Sequence, residues 1–429
     1  MHATDLANSA RPFTWHEGWR YGLMGLPLAF VALPLYVVLP NYYALAFGVP
    51  LATLGSLLLG ARLFDALIDP LLGRWSDRLF ARSLQAVLAW GAVAALVLGV
   101  GFALLFFPPT PTRPGLLLWA GACLVLTYTA YSALSILYQC WGAMLGGDEV
   151  RRSRIVAWRE GLGLAGVIVA SIAPAALGLP ATAALFFIAL AAGWLAWRLA
   201  PRPALRSHVP MTAPGGTDGL WQPFAKPGFR ALLAVFVVNG IASAVPATLI
   251  LFFVQDRLQA PPGTEPLFLG SYFLSAALAI PLWLRVVGHL GLARTWGLGM
   301  LLSIATFIFA AQLGSGDISA FAVVCALSGV ALGTDLALPG ALLAGTIEAN
   351  GDRGRSEGAY FGWWNFATKL NLALAAGVAL PLLGSLGYAP GARDMQALQV
   401  LTWAYCLLPC ALKLLAAGLL YTLIIRKSP

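Results

Sequence analysis

Charged residues are scarce in this chain of 429 residues: they make up 10% of the sequence, whereas hydrophobic residues make up 60%. Soluble globular proteins carry about 25% charged residues, because a hydrated surface needs them. The shortage therefore excludes a water-soluble enzyme, a nucleic-acid-binding protein and a disordered regulator. Most of the surface is expected to face lipid, as in a multi-pass membrane protein.

Cysteine and histidine are also few, and their positions favour no metal site. Cys406 and Cys410 are one helical turn apart, but neither a histidine nor a carboxylate stands near them to complete a ligand set. The histidines all lie in tails or loops, so no Ser-His-Asp set is assembled; they are His2, His16, His208 and His289. We therefore predict no enzyme activity, no bound metal and no organic cofactor.

Apolar segments long enough to cross a bilayer, which takes about 20 residues, recur along the whole chain. Twelve candidates are found, at residues 21–40, 47–72, 84–107, 115–145, 157–178, 181–199, 229–255, 265–288, 293–313, 318–347, 358–385 and 397–425. The sequence therefore predicts an all-α membrane protein with twelve transmembrane helices.

Lysine and arginine are distributed unevenly among the loops that join these segments. With a cytoplasmic N-terminus, almost all of them fall in cytoplasmic loops, and Arg113, Arg257 and Arg393 fall on the opposite side. An excess of basic residues in cytoplasmic loops is the general rule for membrane proteins. We therefore predict that both termini are cytoplasmic and that the protein crosses the cell inner membrane many times.

The longest polar stretch, around residues 200–228, is rich in proline and glycine and is too short to form a soluble domain. It divides the chain into an N-terminal six-helix bundle at residues 1–200, a central cytoplasmic linker at 201–228 and a C-terminal six-helix bundle at 229–429. Two pseudo-symmetric bundles are typical of transporters that bind their solute between the halves, near the middle of the membrane.

Two carboxylates interrupt the second apolar segment. Asp65 and Asp69 are four residues apart and share one face of a helix. A charge at the centre of a membrane helix costs about 2.5–3.5 kcal/mol, and two adjacent carboxylates also repel each other unless a cation or a proton separates them. The spacing favours a site for a coupling ion. The alternative is that Arg62, one turn earlier, neutralises Asp65 and that the pair is structural.

The fourth segment carries a stripe of polar side chains. The residues that share this face are Thr129, Ser132, Ser135 and Gln139, and Tyr128 lies beside them. Because serine and threonine hydroxyls can bond back to their own helix, the stripe either lines a cavity or belongs to ordinary helix packing.

The eleventh segment carries a lysine about eleven residues from its start. Lys369 follows Asn365 by one turn and lies too deep to reach the membrane surface easily. Its ammonium group needs a carboxylate or an anionic ligand, and the candidate carboxylates are Asp65, Asp69 and Asp335, the last of which lies in the tenth segment.

The loop after the second segment reads GRWSDR at residues 73–78. This pattern is similar to the first cytoplasmic hairpin of major facilitator transporters, where the acid and the base hold adjacent helix ends together in one gating state. Gly73, Asp77 and Arg78 are therefore gating candidates. A second cytoplasmic latch is expected in the loop at residues 353–357, which contributes Arg353, Arg355 and Glu357.

Longer matches extend over most of the chain. They include YGLMGLP and RLFDALIDPLLGRWSDR, YTAYSALSILYQCWGAML and RRSRIVAWRE, and, in the second half, VVNGIASAVPATLILFFVQDRL and ALPGALLAGTIEANGDRGRSEGAYFGWWNFATKL. On these segments the chain resembles the glycoside–pentoside–hexuronide:cation symporter group of the major facilitator superfamily, the relatives of melibiose permease. The resemblance implies the major facilitator fold and cation-coupled transport.

The resemblance also implies roles for individual residues. Asp65, Asp69 and Thr129 occupy the positions that hold the coupling cation in that group. A polar residue usually precedes the second aspartate, whereas this chain has Ile68, which weakens a sodium site and leaves proton coupling as the easier chemistry. Ser132 stands where the sugar permeases of the group carry a sugar-binding carboxylate.

The remaining polar positions describe a candidate substrate site. Its predicted members are Tyr128, Ser132, Arg159, Trp364, Asn365 and Lys369. With the carboxylate replaced, this set suits an anionic or amphipathic solute, such as a lysolipid, at least as well as a sugar, because loss of a buried acceptor costs much of the discrimination for a sugar.

The predicted function is a secondary transporter, coupled to H⁺ or Na⁺, that moves a small solute across the membrane by alternating access. It is expected to act as a monomer that contacts solute, cation and lipid but no nucleic acid. One rival is a membrane prenyltransferase-type enzyme, which needs a second aspartate-rich segment, whereas the second half has isolated acids such as Asp335 and Asp352. Another is a receptor or scaffold that keeps the fold without transport.

Overall fold

The computed structural model describes residues 13–109, 113–204, 218–261 and 263–427. Within these ranges every regular element is helical. The helices of the first half are α1 (Trp15–Gly22), α2 (Gly25–Phe30), α3 (Leu39–Phe47), α4 (Leu51–Arg82), α5 (Leu84–Phe106), α6 (Arg113–Met144), α7 (Glu149–Arg198) and α8 (Asp218–Trp221). Those of the second half are α9 (Pro227–Phe252), α10 (Glu265–Leu290), α11 (Leu292–Ala310), α12 (Ile318–Ala349), α13 (Glu357–Ser385), α14 (Met395–Thr402) and α15 (Leu408–Leu423).

Wider π-helical turns connect some of these helices. They are Pro34–Val38 before α3, Phe253–Arg257 after α9 and Trp403–Leu407 before α15. Single turns of 3₁₀ helix follow α8 at Gln222–Ala225 and α15 at Ile425–Lys427. Each of the twelve apolar segments predicted from the sequence coincides with largely helical structure.

Nine helical stretches in the described part of the chain are long and apolar enough to cross a membrane. One of them, α7, has 50 residues and contains both the fifth and the sixth predicted segments. The second and eleventh segments, α4 and α13, are helical but lie outside the nine. The all-helical fold is thus confirmed, while the count of twelve crossings and the cytoplasmic termini remain predictions.

Helix α7 changes direction at Gly178, where φ is 77° and ψ is 167°. This backbone conformation favours glycine because a β-carbon would strain it. Pro180 follows and can start a helical turn but cannot donate to the preceding one. The boundary predicted between residues 178 and 181 therefore has a physical cause, and α7 consists of two helical parts that meet at this kink.

Side-chain caps fix where several helices begin. Ser83 Oγ accepts a hydrogen bond from the Ala86 N–H at 3.1 Å at the start of α5. At the start of α7, Asp148 Oδ1 accepts from the Arg151 N–H at 2.7 Å. These contacts satisfy N–H groups that have no partner within the helix itself.

The chain divides into two compact units. The first comprises Met1–Ala225 together with Ile347–Phe366, and the second comprises Lys226–Thr346 together with Ala367–Pro429. Most of the linker predicted at residues 201–228 lies outside the described residues, which leave out 205–217. The partition into bundles at 1–200 and 229–429 remains a prediction.

In the first unit, α2 packs along α7, and α4 and α5 both pack against α6. Its interior is aromatic: the Trp141 and Trp197 rings meet edge to face at 5.5 Å, and Phe30 stacks on Phe186 at the same distance. Such ring pairs add specific geometry to the burial of apolar surface. They hold α6, which carries part of the predicted site, in a fixed position.

In the second unit, α15 packs against both α9 and α11. Phe253 stacks on Tyr405 with ring centroids 4.2 Å apart, and both residues lie in π-helical turns. Leu249, Phe321 and Leu401 are fully buried around them. This core joins the ends of α9 and α15.

Leucine side chains cover much of the outer surface of the helices. Leu45, Leu118 and Leu278 are 79%, 77% and 70% exposed. A water-soluble protein does not present so many large apolar side chains, whereas lipid tails solvate them without cost. The exposed faces of these helices are therefore suited to a bilayer.

Candidate functional site

The two aspartates of α4 are buried inside the first unit. Asp65 is 3% exposed and Asp69 is fully buried, one turn further along the same helix. Ser132 of α6 donates a hydrogen bond from its hydroxyl to Asp65 Oδ1 at 2.6 Å. The structure thus brings together two carboxylates and a hydroxyl, which are oxygen groups that can hold a small cation or share a proton.

Thr129 does not contribute its hydroxyl donor to this group. Its Oγ1 donates instead to the Val125 carbonyl of its own helix at 2.7 Å. Arg62 places its guanidinium carbon 3.9 Å from the centre of the Tyr36 ring in a cation–π contact. Tyr128 is 2% exposed, and its ring centre lies 6.3 Å from that of Tyr36.

Arg159, predicted to contact substrate, forms an ion pair with the next residue in the chain. Its Nη2 lies 2.7 Å from Glu160 Oε1, and its Nε donates to the same oxygen at 2.8 Å. The charge of the guanidinium is therefore largely compensated within α7. Glu160 was not among the predicted site residues, although an acid next to an arginine near the start of an apolar segment is a signal that the sequence contains.

The substrate candidates of α13 lie along its first half. Trp364 is buried, while Asn365 and Lys369 are partly exposed. Trp363, its neighbour, donates from Nε1 to the Leu220 carbonyl at 2.8 Å and packs its ring on Trp221 at 4.7 Å. The beginning of α13 is thereby fixed to the short helix α8.

Helices α4 and α13 approach each other closely at a pair of glycines. A β-carbon on Gly73 would overlap the Gly358 carbonyl oxygen, and one on Gly358 would overlap that of Gly73. This contact places Asp77 at the first turn of α13, where its Oδ1 accepts from the Gly358 N–H at 2.6 Å and its Oδ2 from the Ala359 N–H at 3.0 Å. Asp77 therefore caps a helix distant in sequence.

Burial raises the pKa of two carboxyl groups at this contact. The pKa of Glu357 rises from 4.5 to about 7, although the Gly354 N–H, which donates to it at 2.5 Å, acts in the opposite direction. The pKa of Asp77 also rises well above its usual value, first because of burial and second because of the negative charge of Glu357. Desolvation penalises the charged form of both groups.

Arg353 belongs to a second cluster in the same unit. It donates to Glu348 Oε1 at 2.6 Å and to the Met144 carbonyl at 3.2 Å. Arg152 of α7 donates to the other carboxylate oxygen, Glu348 Oε2, at 3.1 Å. Gly146, with φ of 59°, lets the chain turn directly after α6, where a β-carbon would collide with the Arg353 guanidinium.

The two clusters contain four of the six predicted gating residues: Gly73, Asp77, Arg353 and Glu357. The side chains of Arg78 and Arg355 are exposed instead. Sequence reasoning missed Arg152 and Glu348, because ordinary loop charges and ion-pairing charges look alike in a single sequence. We call the contacts of Gly73, Asp77, Glu348, Arg353 and Glu357 the α4–α12–α13 cluster.

The second unit holds a buried ion pair that differs from the predicted one. Asp335 pairs with Lys413 of α15, whose Nζ lies 3.0 Å from Asp335 Oδ2. The prediction that Asp335 could serve as the partner of Lys369 is corrected by this contact, because four donors already occupy the carboxylate. The other three are Asn239 at 3.0 Å, Trp296 at 2.8 Å and Ser243 at 3.2 Å.

Lys413 was missed altogether in the sequence. It is a single lysine inside the twelfth apolar segment and is 5% exposed. A lone basic residue in a membrane helix is itself a signal, since it needs a partner. The partner could not be chosen from the sequence, because Asp335 lies 78 positions away.

Long apolar helices and buried carboxylates define this chain as a multi-pass membrane transporter. The model of the family "MFS/sugar transport protein" matches residues 20–427, and the chain belongs to that family. The predicted membership in the glycoside–pentoside–hexuronide:cation symporter group is confirmed, and the protein is a transporter and not a prenyltransferase-type enzyme.

Individual relatives agree with this assignment. The chain is 23% identical over 449 aligned positions to "Uncharacterized symporter YjmB" of Bacillus subtilis (strain 168), an alignment that covers 98% of this chain and 96% of the relative. It is 28% identical over 153 residues to "Putative glycoside/cation symporter YagG" of Escherichia coli (strain K12), covering 35% of this chain and 33% of the relative.

A solved structure shares the fold. The crystal structure of a bacterial homologue of the iron transporter ferroportin, in the outward-facing state, superposes with a TM-score of 0.73 and 18% sequence identity. The match covers 96% of this chain and all of that one. At this level of identity the likeness establishes the major facilitator fold and nothing about the solute.

Proposed function

We propose that this protein is a cation-coupled symporter of the inner membrane in which Asp65 and Asp69 bind the coupling cation. The observation that carries the proposal is the burial of both carboxylates one turn apart in α4, with the Ser132 hydroxyl on Asp65. Two ionised carboxylates repel each other strongly at this spacing in a medium of low dielectric constant. Binding of a proton or a metal cation removes that repulsion, and the binding and release of this cation would be coupled to solute movement.

Proton coupling fits the surroundings of the pair better than sodium coupling. A sodium ion needs several oxygen ligands at short distance. The side chain of Ile68 supplies none next to Asp69. A proton needs one carboxylate oxygen and a hydrogen-bond partner, which Asp65 and Ser132 can provide.

The solute class favoured by the site is an uncharged glycoside. An anionic solute would have to displace Glu160 from Arg159, to which it is bound at 2.7 Å. An uncharged solute with many hydroxyls can instead donate to Glu160 and accept from Arg159 without separating the pair. The relative named as a putative glycoside/cation symporter supports the same class. An anionic or lysolipid-like solute remains the second candidate.

The α4–α12–α13 cluster would act in gating on the predicted cytoplasmic side. Its contacts join the end of α4 to the start of α13 and the end of α12 to α7. Breaking and re-forming such contacts is the expected work of a cytoplasmic gate during alternating access. Arg78 and Arg355, which are exposed, would join only in another conformation. The transporter is expected to work as a monomer.

Transport into proteoliposomes tests the proposal. Under an imposed inward proton gradient, the purified protein should accumulate a radiolabelled methyl glycoside from a panel of such compounds. Asp69→Asn should abolish accumulation yet keep exchange of internal for external glycoside, which needs no net proton movement. Asp317→Asn, at an exposed loop position, is the matched control and should accumulate normally. Unchanged accumulation by Asp69→Asn would overturn the assignment of the cation site.

A further inference from the structure

The second unit contains a partly open cavity of about 280 Å³. Its walls come from α9, α10, α11, α12 and α15 and from the turn Trp403–Leu407, and they include Pro246, Phe273 and Phe307. The volume is nearly twice the ~150 Å³ of an apolar protein cavity that takes up benzene. The cavity therefore has room for a two-ring molecule or a chain of similar size.

The Asp335–Lys413 pair lies in the wall of this cavity. Both oxygens of Asp335 already accept hydrogen bonds from two donors each. Lys413 donates to Asp335 and, at 2.9 Å, to Asn239 Oδ1. Since an ammonium group has three N–H bonds, one is left for a molecule in the cavity. The pair as a whole carries no net charge.

Hydroxyl groups in the same wall have unused hydrogen-bonding capacity. Ser303 and Tyr405 are 4% and 3% exposed, and neither hydroxyl bonds to another of the residues that the structure describes. The Ser328 hydroxyl, also in the wall, is buried without a partner in the same part of the chain. Buried polar groups nearly always have partners, so these hydroxyls point to a ligand with polar atoms of its own.

We propose that this cavity is a binding site for an uncharged amphipathic molecule, with hydroxyl or ether oxygens at one end and an apolar ring or chain at the other. The oxygens would meet Lys413, Ser303 and Tyr405, and the apolar part would lie against Pro246 and the phenylalanines. A charged ligand is disfavoured because it would add an uncompensated charge to a pair that is already neutral, in surroundings of low dielectric constant.

The site is independent of the proposed cation site. All of its lining residues belong to the second unit, whereas Asp65 and Asp69 belong to the first. Asp69→Asn should therefore leave binding in the cavity unchanged. Failure of the transport proposal and failure of this one can be told apart in the same preparation.

Calorimetric titration of the full-length protein in lipid nanodiscs tests the proposal, with empty nanodiscs as the reference. Three probes share one ring system and differ in charge: 2-naphthylmethanol, 2-naphthoate and 2-naphthylmethylammonium. The alcohol should bind saturably, and each charged probe should bind at least about tenfold more weakly. If the alcohol does not bind saturably, the cavity holds water only. If a charged probe binds as tightly as the alcohol, the proposed selectivity is wrong. Either result overturns the proposal.

Matched variants locate the binding site. Ala247 lies at an exposed position in the cavity wall, and Ala247→Trp should fill the cavity and abolish binding. Leu251 lies one turn further along α9, is 49% exposed and does not line the cavity, so Leu251→Trp should leave binding unchanged. Tyr405→Phe should weaken binding about fivefold through the loss of one hydrogen bond. If Ala247→Trp fails to fold, the affinity of Tyr405→Phe for the alcohol still tests whether the probe binds in this cavity. Wild-type affinity in either cavity variant would place the bound probe elsewhere and refute the site.

Discussion

Asp77 Oδ1 accepts a hydrogen bond from the Gly358 N–H at 2.6 Å across a separation of 281 residues. A carboxylate of one helix thus caps the first turn of another, in the place that a local serine or aspartate usually fills. The contact depends on glycine at positions 73 and 358, because a side chain at either would hold the two backbones apart.

Removing this cap should destabilise the protein. At pH 6 we expect Asp77→Ala to lower the free energy of unfolding by about 1–2 kcal/mol, because two buried N–H groups lose their acceptor. Thermal unfolding in detergent measures the change. Asp77→Asn retains one acceptor and should cost less, and Arg78→Ala, at the exposed neighbour, should have no effect. Equal melting temperatures for Asp77→Ala and Arg78→Ala would contradict the capping role.

Stability should depend on pH through Glu357. Its pKa rises from 4.5 to about 7 in the folded state because of burial, so the folded state binds the proton more tightly than the unfolded state does. Its contribution to stability is complete below about pH 4.5, decreases as the pH rises, and is lost above pH 7. The melting temperature should fall as the pH is raised from about 5 to about 8, and Glu357→Gln should flatten this part of the plot of melting temperature against pH. An identical slope in Glu357→Gln would show that other groups cause it.

Ser132 and Thr129 should differ in their effect on cation affinity. Ser132→Ala removes a hydrogen bond that favours the ionised form of Asp65 and should therefore strengthen proton binding at least about tenfold, since a hydrogen bond to a charged group contributes about 1.5–3 kcal/mol. Thr129→Val, which removes a hydroxyl bonded to its own helix, should leave the affinity unchanged. The dependence of glycoside uptake on external pH measures both. If Thr129→Val changed the affinity and Ser132→Ala did not, the cation site would include Thr129, as the family resemblance implies, and not Ser132.

The buried pair of the second unit should show strong coupling. Lys413→Met leaves the Asp335 carboxylate without its positive partner and should destabilise the protein by about 3–5 kcal/mol. In the double variant Asp335→Asn with Lys413→Met, no charge remains at this position and the amide oxygen can still accept from Asn239 and Trp296, so most of the stability should return. Melting temperatures of the two single variants and the double variant form the required cycle. Additive losses would mean that the two residues act independently.

Hydrophobicity and charge in the sequence were enough to predict the helical segments and the buried aspartates. A long apolar segment forms a helix in lipid, because a helix satisfies its own backbone hydrogen bonds. Asp65 and Asp69 were recognisable because carboxylates are costly inside such runs. The family motif likewise led to Asp77, although the residues that it would contact could not be derived from the motif itself.

Long-range partners could not be predicted. The choice of Lys413 rather than Lys369 for Asp335 depends on which helix faces α12, and both lysines look alike in sequence. Similarly, Ser132 and Thr129 are three residues apart on one helical face, and a small difference in helix position decides that Ser132 reaches Asp65. The bond of Thr129 to its own helix was one of two outcomes open for a polar stripe.

Proton movement that accompanies solute entry tests the central claim most directly. In proteoliposomes with no imposed gradient and a pH-sensitive dye inside, addition of a transported glycoside should acidify the lumen, and the initial rate should follow the rate of glycoside entry. The double variant Asp65→Asn with Asp69→Asn should abolish the acidification while Asp317→Asn preserves it. Glycoside-dependent acidification in the double variant at the wild-type rate would contradict the assignment of the coupling site to this pair.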